Sequence, residues 1–158
     1  MEENKEKDLT FKELQMAVLI RSSEAMKATA QAGITYFTTG LAEETGEVCG
    51  AVKKLVRAQN GLIKPKTYDK VKAELEKQLA NINAEKIKLG AKPLPFYVED
   101  EEVREVYKNQ LLDNLEIEIG QVVQYLANIA YFYNLDLGKV VKKSFNHTSK
   151  EFNSDIEL

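Results

Sequence analysis

The segment "LEIEIGQVVQYLANIA", residues 115–130, decides the fold. Its apolar residues Leu115, Ile119, Val122, Leu126 and Ile129 recur at spacings of four, three, four and three, the period of a helix and not the alternation of a strand. The same stripe runs back through Leu111, Tyr107 and Val103 to a capping Asp100, and forward to about Asn134, so one long helix is predicted. Within it Glu118 and Gln121 stand at i, i+3 and share a side with Asn114, polar groups in a strongly apolar surround.

A second stretch, "LAEETGEV" at 41–48, places Glu43, Glu44 and Glu47 within five positions. On a helix Glu43 and Glu47 stack at i, i+4 and Glu44 and Glu47 at i, i+3, so all three carboxylates look out over nearly one face. Like charges at this spacing destabilise an isolated helix by roughly 0.2–0.5 kcal/mol per pair, which a divalent cation or plain solvent has to offset. Two such helices packed antiparallel, about 8–10 Å apart, would converge Glu44, Glu47 and Glu118 on one oxygen-lined site. Hard oxygen donors suit Mg²⁺ or Mn²⁺ rather than zinc.

The remaining periodicity is also helical. A first helix is expected over about residues 9–31, with Phe11, Leu14, Val18 and Ala25 on one face and Gly33 near its end. A second runs from about Tyr36 to Ala58, with Leu41, Val48, Val52, Leu55 and Val56 on its apolar side, and "QNGLIKPK" ends it. A third, capped by Thr67 and running to about Leu89, carries only the narrow stripe Val71, Leu75, Leu79 and Ile82, and reads as a protruding arm or interface helix. "GAKPLPFY" breaks it, and a last helix starts after Asp136 and reaches about Phe152. All three prolines fall between positions 65 and 95, and little in the chain would build a sheet, so the expectation is an all-α fold of about five helices.

With 158 residues, 44% hydrophobic and 30% charged, the chain fits one globular domain spanning 1–158. A formal charge of −3 gives no general pull toward a nucleic-acid polymer or an anionic membrane. The single cysteine, Cys49, excludes an internal disulfide and reads as a small core residue, and the charged start "MEENKEKDLT" lacks the apolar core of a signal peptide. No stretch approaches the roughly 18 apolar residues of a membrane span. A cytoplasmic location is the expectation.

Together, "LAEETGEVCGAVKKL" and "LEIEIGQVVQYLANIAYFYNLDLGKVV" resemble the MazG-like all-α nucleoside triphosphate pyrophosphohydrolases, with their EExxE helix, connecting segment and ExxD helix. The resemblance covers roughly residues 10–59 and 109–152, and it makes the stretch of about 62–98 an inserted helical segment. It implies Mg²⁺-dependent cleavage between the α and β phosphates of a nucleoside triphosphate, giving a monophosphate and pyrophosphate, by a bundle completed as a homodimer or homotetramer. It also implies that Glu44, Glu47 and Glu118 are metal ligands, and that Glu43 helps orient or deprotonate the attacking water.

The chain departs from that pattern at two places. Gln121 stands where the family has an aspartate; its amide oxygen can coordinate Mg²⁺ but brings no charge. In the last helix, Ser144, His147 and Glu151 fall where many members carry an Asn and basic phosphate contacts. Lys142, Lys143, Asn146 and Lys150 are the nearby substitutes, and Lys53, Lys54 and Arg57 are alternatives by charge attraction; of these Lys53, Lys54 and Lys143 are the phosphate contacts expected. His147, the only histidine, has no matching nucleophile and carboxylate and reads as a surface or capping residue. The alternative functional reading is a catalytically impaired protein that binds or sequesters nucleotides. A structural adaptor using the 67–89 arm is the third.

Overall fold

The computed structural model describes residues 9–22 and 30–151, and among these every regular element is an α-helix. In chain order they are α1 (Phe11–Ser22), α2 (Ala30–Gln59), α3 (Pro65–Lys88), α4 (Asp100–Phe132) and α5 (Leu137–Glu151). The all-α class and the five helices are as the periodicity predicts. Ala25 and Phe152, assigned above to helices, lie outside the described residues. Among the described residues no helix is long and apolar enough to cross a membrane.

Helix ends follow local chemistry. Thr10 and Glu13 form a reciprocal cap on α1: the Glu13 amide donates to Thr10 Oγ1 and the Thr10 amide to Glu13 Oε2. Asp136 caps α5, its Oδ1 accepting from the Lys139 amide at 2.9 Å. Three helices stop in the same way, with a left-handed residue followed by paired back-bonds to the last turn. Gly61 (φ 72°) ends α2, Gly90 (φ 71°) ends α3 and Asn134 (φ 54°) ends α4. In each, the next amide reaches back five residues: Leu62 to the Arg57 carbonyl, Ala91 to Lys86 and Leu135 to Ala130, all at 2.8 Å.

Several expected boundaries move, and the start of α2 is one: Tyr36 lies inside the helix, which opens at Ala30. Gly33 does not end a helix but is buried inside α2, which is already helical at Ala30. A glycine stops a helix by adopting positive φ ahead of a break, and Gly33 does not adopt it. Thr67 does not cap α3, which opens two residues earlier on Pro65, whose missing N–H and fixed φ suit the first helical position. At the start of α4, Asp100 is already helical and its carboxylate accepts the Tyr68 hydroxyl.

The chain divides into two compact units, one drawn from Met1–Gly46 and Glu118–Leu158, the other from Glu47–Ile117. In the first, Val18, Ala127, Ala130 and Leu137 form the core with Leu14 against it, so α1 packs where α4 turns into α5. The Gln15 side chain fastens that turn with both ends of its amide, donating to the Leu135 carbonyl and accepting from the Leu137 amide, each at 3.1 Å. In the second unit Val71, Val98 and Val103 are the core, with Tyr68, Leu75, Leu79, Val106 and Tyr107 packed on it. Fully burying a residue such as Val103 contributes about 1.5–3 kcal/mol. Asn83 repeats the amide clamp, donating to the Leu94 carbonyl at 3.0 Å and accepting from the Leu94 amide at 2.7 Å. The second unit contains the whole 62–98 segment.

Much apolar surface stays open. Val52 and Val56, expected on the buried side of α2, are 42% and 49% exposed, because the small residues Ala51 and Ala58 take the buried positions instead. Along α4, Leu112, Leu115, Ile119, Val122, Leu126 and Ile129 alternate spacings of three and four, and none of them is buried.

Within the first unit α2 and α4 touch at Gly40. A Cβ built there would lie 2.4 Å from the Tyr125 ring, whereas one at Gly46 would meet nothing within 4 Å. Gly46→Ala should therefore stabilise the protein by about 0.5–1 kcal/mol through helix propensity. Gly40→Ala should lose stability overall, since overpacking costs about 1–3 kcal/mol. Urea unfolding of both, with Gly40→Ala repeated in a Tyr125→Leu background, checks this: relieving the clash should turn the loss into a gain.

Candidate functional site

Counting from the Gly40 contact, one turn forward along α2 leads to Glu44 and one turn back along α4 leads to Gln121. These two meet as well: Gln121 Nε2 donates to Glu44 Oε1 at 3.3 Å. Pairing 40 with 125 and 44 with 121 sets the two segments antiparallel. The α4 residue at i−3 from Gln121 is Glu118, which is buried, and it offers a carboxylate oxygen within 4.8 Å of one on Glu44. Glu44 is half-buried; Glu43 and Glu47 are exposed. On the same unbroken α2, Glu47 offers an oxygen within 4.8 Å of Glu44.

Two full negative charges at such a separation repel by roughly 3–4 kcal/mol at an effective dielectric constant of about 20. The Gln121 amide hydrogen offsets part of this, and among the described residues no buried side-chain nitrogen or oxygen is without a hydrogen-bond partner. The donor set is all oxygen. Two ligands on opposite sides of Mg²⁺ are about 4.2 Å apart, twice a metal–oxygen distance of about 2.1 Å, and with their oxygens within 4.8 Å of one another Glu44, Glu47 and Glu118 are the residues that could hold a hard divalent cation.

Tyr125 closes one end of the site. Its hydroxyl is hydrogen-bonded to Tyr36, and the two rings lie 6.4 Å apart, with Tyr36 also edge-on to the buried Phe37 at 5.6 Å. Burial pushes the Tyr125 phenol above its ordinary value, and the bond to Tyr36 and the negative charges of Glu44 and Glu43 push it the same way. Gly40 is legible in the sequence as a place of close approach; Tyr125 carries no such signal, because an aromatic on an apolar helix face reads as core.

The basic residues go elsewhere. Lys53 and Lys54 line a pocket of the second unit with Arg57, and along α2 Lys54 lies seven residues past Glu47, about 10 Å by helical rise. Lys143 lines a cavity of about 680 Å³ in the first unit, with Lys139, Ser144 and His147. His147 is exposed, and so is Cys49, which is therefore not the core residue expected from its apolar neighbours. The side chains of Lys150 and Glu151 lie outside the described residues.

Comparison of the chain with protein-family profiles, with curated proteins and with solved structures gave no match.

A raised phenol pKa means that the folded protein keeps a proton which the unfolded chain releases above pH about 10. Stability should therefore fall as pH rises through that value, until the folded-state pKa is passed. Urea midpoints at pH 8 and pH 10.5 should show a smaller alkaline loss in Tyr125→Phe than in wild type. In ultraviolet titration, Glu44→Gln should move one late-titrating tyrosine to lower pH.

Proposed function

We propose that the chain is a Mg²⁺-dependent nucleoside triphosphate pyrophosphohydrolase of the MazG-like type, in which Glu44, Glu47 and Glu118 hold the divalent cation; Mn²⁺ fits the same donors. The observation that carries this reading is the approach of the buried Glu118 and the half-buried Glu44 to within 4.8 Å across two helices. Withdrawing carboxylates from water and setting them side by side is unfavourable unless a positive charge joins them. When bound, the cation supplies neutralisation of phosphate charge and acidification of a water molecule.

The chain's own residues have distinct tasks. Glu118, fixed by burial on α4, sets the depth of the site, and Glu44 positions the Gln121 amide. Glu43, exposed beside Glu44 on the same helix, would accept a proton from the attacking water. The Gln121 amide oxygen would be a fourth, uncharged donor to the cation. Lys143 is the expected phosphate contact from α5. The open stripe of α4, alternating threes and fours, is the pattern of a helix seam between subunits, and supports assembly as a homodimer or homotetramer.

A second reading is binding or sequestration of nucleotides without turnover. It is favoured by the N–H that Gln121 gives to Glu44, since an amide here supplies one negative charge fewer than an aspartate.

The test is pyrophosphate release from a panel of nucleoside triphosphates against Mg²⁺ concentration, together with thermal unfolding in chelator and in Mg²⁺. Wild type should gain thermal stability with Mg²⁺, and Glu47→Ala should weaken the metal response by more than about tenfold. Glu118→Gln should be more stable than wild type in chelator, where the repulsion is relieved, and inactive in Mg²⁺. Gln121→Asp should be less stable in chelator and faster in Mg²⁺. Absence of any metal response in wild type would remove both readings, and nucleotide binding without release in wild type and Gln121→Asp would select the second.

A further inference from the structure

In the second unit, the end of α2, the turn after it and the start of α3 enclose a pocket of about 320 Å³ lined by Lys53, Lys54, Arg57, Lys64, Thr67 and Tyr107, among others. Four of these six are cations and no acidic residue lines the pocket. Lys53 and Lys54 stand at i−4 and i−3 from Arg57, so the three share one side of α2. Lys64 comes to them across the turn that Gly61 makes possible. Among the described residues none of the four cations has a carboxylate within ion-pair distance.

The ordinary structural uses of such cations are taken up otherwise. Basic residues at a helix C-terminus complement its exposed carbonyls. Here those carbonyls are already occupied: Val56 accepts from the Asn60 amide and side chain, Arg57 from Leu62, and Ala58 from Gly61. The helix that starts at the pocket adds positive character instead. Its N-cap position is Lys64, with no side-chain cap, and no acidic residue stands in its first turn. Like charges gathered in one pocket repel, and among the described residues no ion pair offsets them.

We propose that this pocket binds a diphosphate group. All its charged groups are donors, and their four positive charges are close to balanced by the roughly three negative charges of a diphosphate near neutral pH, where a single carboxylate would leave most of them uncompensated. The volume lies at the lower end of small-ligand pockets, about 300–1,000 Å³, and admits a diphosphate with little else enclosed. A nucleic-acid polymer is disfavoured because Asp69 and Glu74 interrupt the basic residues that follow along α3, and the chain as a whole carries a formal charge of −3. The same group is carried by free pyrophosphate and by a nucleoside diphosphate. Tyr107, half-buried at the pocket wall, gives a base a face to stack on and so favours the second source over the first. The inference goes beyond the proposed hydrolysis and does not need the carboxylates to hold a metal.

Calorimetric titration of the full chain in chelator, so that no divalent cation is present, separates the two. Inorganic pyrophosphate should bind saturably, at least about tenfold tighter than orthophosphate, and Arg57→Ala and Lys64→Ala should each weaken it by about tenfold. Lys86→Ala, in the last turn of α3 and outside the pocket, and Glu118→Gln, in the proposed metal site, should leave it unchanged. A nucleoside diphosphate that binds tighter than pyrophosphate, with the advantage lost in Tyr107→Leu, identifies the nucleotide as occupant; equal or weaker binding identifies free pyrophosphate. The proposal is overturned if pyrophosphate does not saturate, if it binds no better than orthophosphate, or if Arg57→Ala with Lys64→Ala, folded by circular dichroism, binds as wild type does. An equal loss in Lys86→Ala would also overturn it, since attraction to any surface lysine would then suffice.

Discussion

The ring of Tyr125 rests where a side chain at position 40 would be, and the geometry of the candidate site depends on that contact. Because neither helix is interrupted there, one contact fixes the register of everything a turn away. Glu44 comes opposite Gln121, and Glu118 arrives beside Glu44. The glycine gives up helix propensity at that point, about 1 kcal/mol relative to alanine, and the close approach is what the chain gains.

That register concentrates negative charge, and two polar groups stand beside it. Gln121 donates an N–H to Glu44, and the Tyr125–Tyr36 pair keeps a neutral phenol at the edge of the site. The cations meanwhile gather in their own pocket at the far end of α2, around Arg57. An acidic protein of net charge −3 thus carries a local acidic cluster and a local basic pocket. Under the proposed reading they serve opposite partners, a metal ion in one case and a diphosphate in the other.

Helix periodicity shows in the sequence because it is a local property, and α3, α4 and α5 emerge close to where the apolar spacing puts them, whereas α2 opens at Ala30, ahead of the expected Tyr36. The errors are those of local signals read without their backbone. Gly33 and Gly61 look alike as letters, but only Gly61 adopts positive φ and ends its helix. On α2 the half-buried Leu41, Val48 and Leu55 lie on the expected side with the buried Ala51 and Ala58, while Val52, Val56 and Cys49, apolar in the sequence, fall just off that face and are exposed. The acidic pairs were legible as spacings on single helices, i, i+3 and i, i+4. Contacts between segments distant in sequence, such as Tyr125 on Gly40, have no spacing to betray them.

The two amide clamps carry a consequence for the protein's chemical ageing. Gln15 and Asn83 each hold a connecting segment by giving one N–H and taking another, with the donor aimed at the carbonyls of Leu135 and Leu94. Hydrolysis of either amide yields a carboxylate of almost the same shape that has lost its donor and sets a negative oxygen against that carbonyl. The damage would leave both helix cores intact and slacken only the α4–α5 turn or the segment after α3. An old population of molecules would therefore differ from a fresh one first in how those two connections open, long before any loss of helix content.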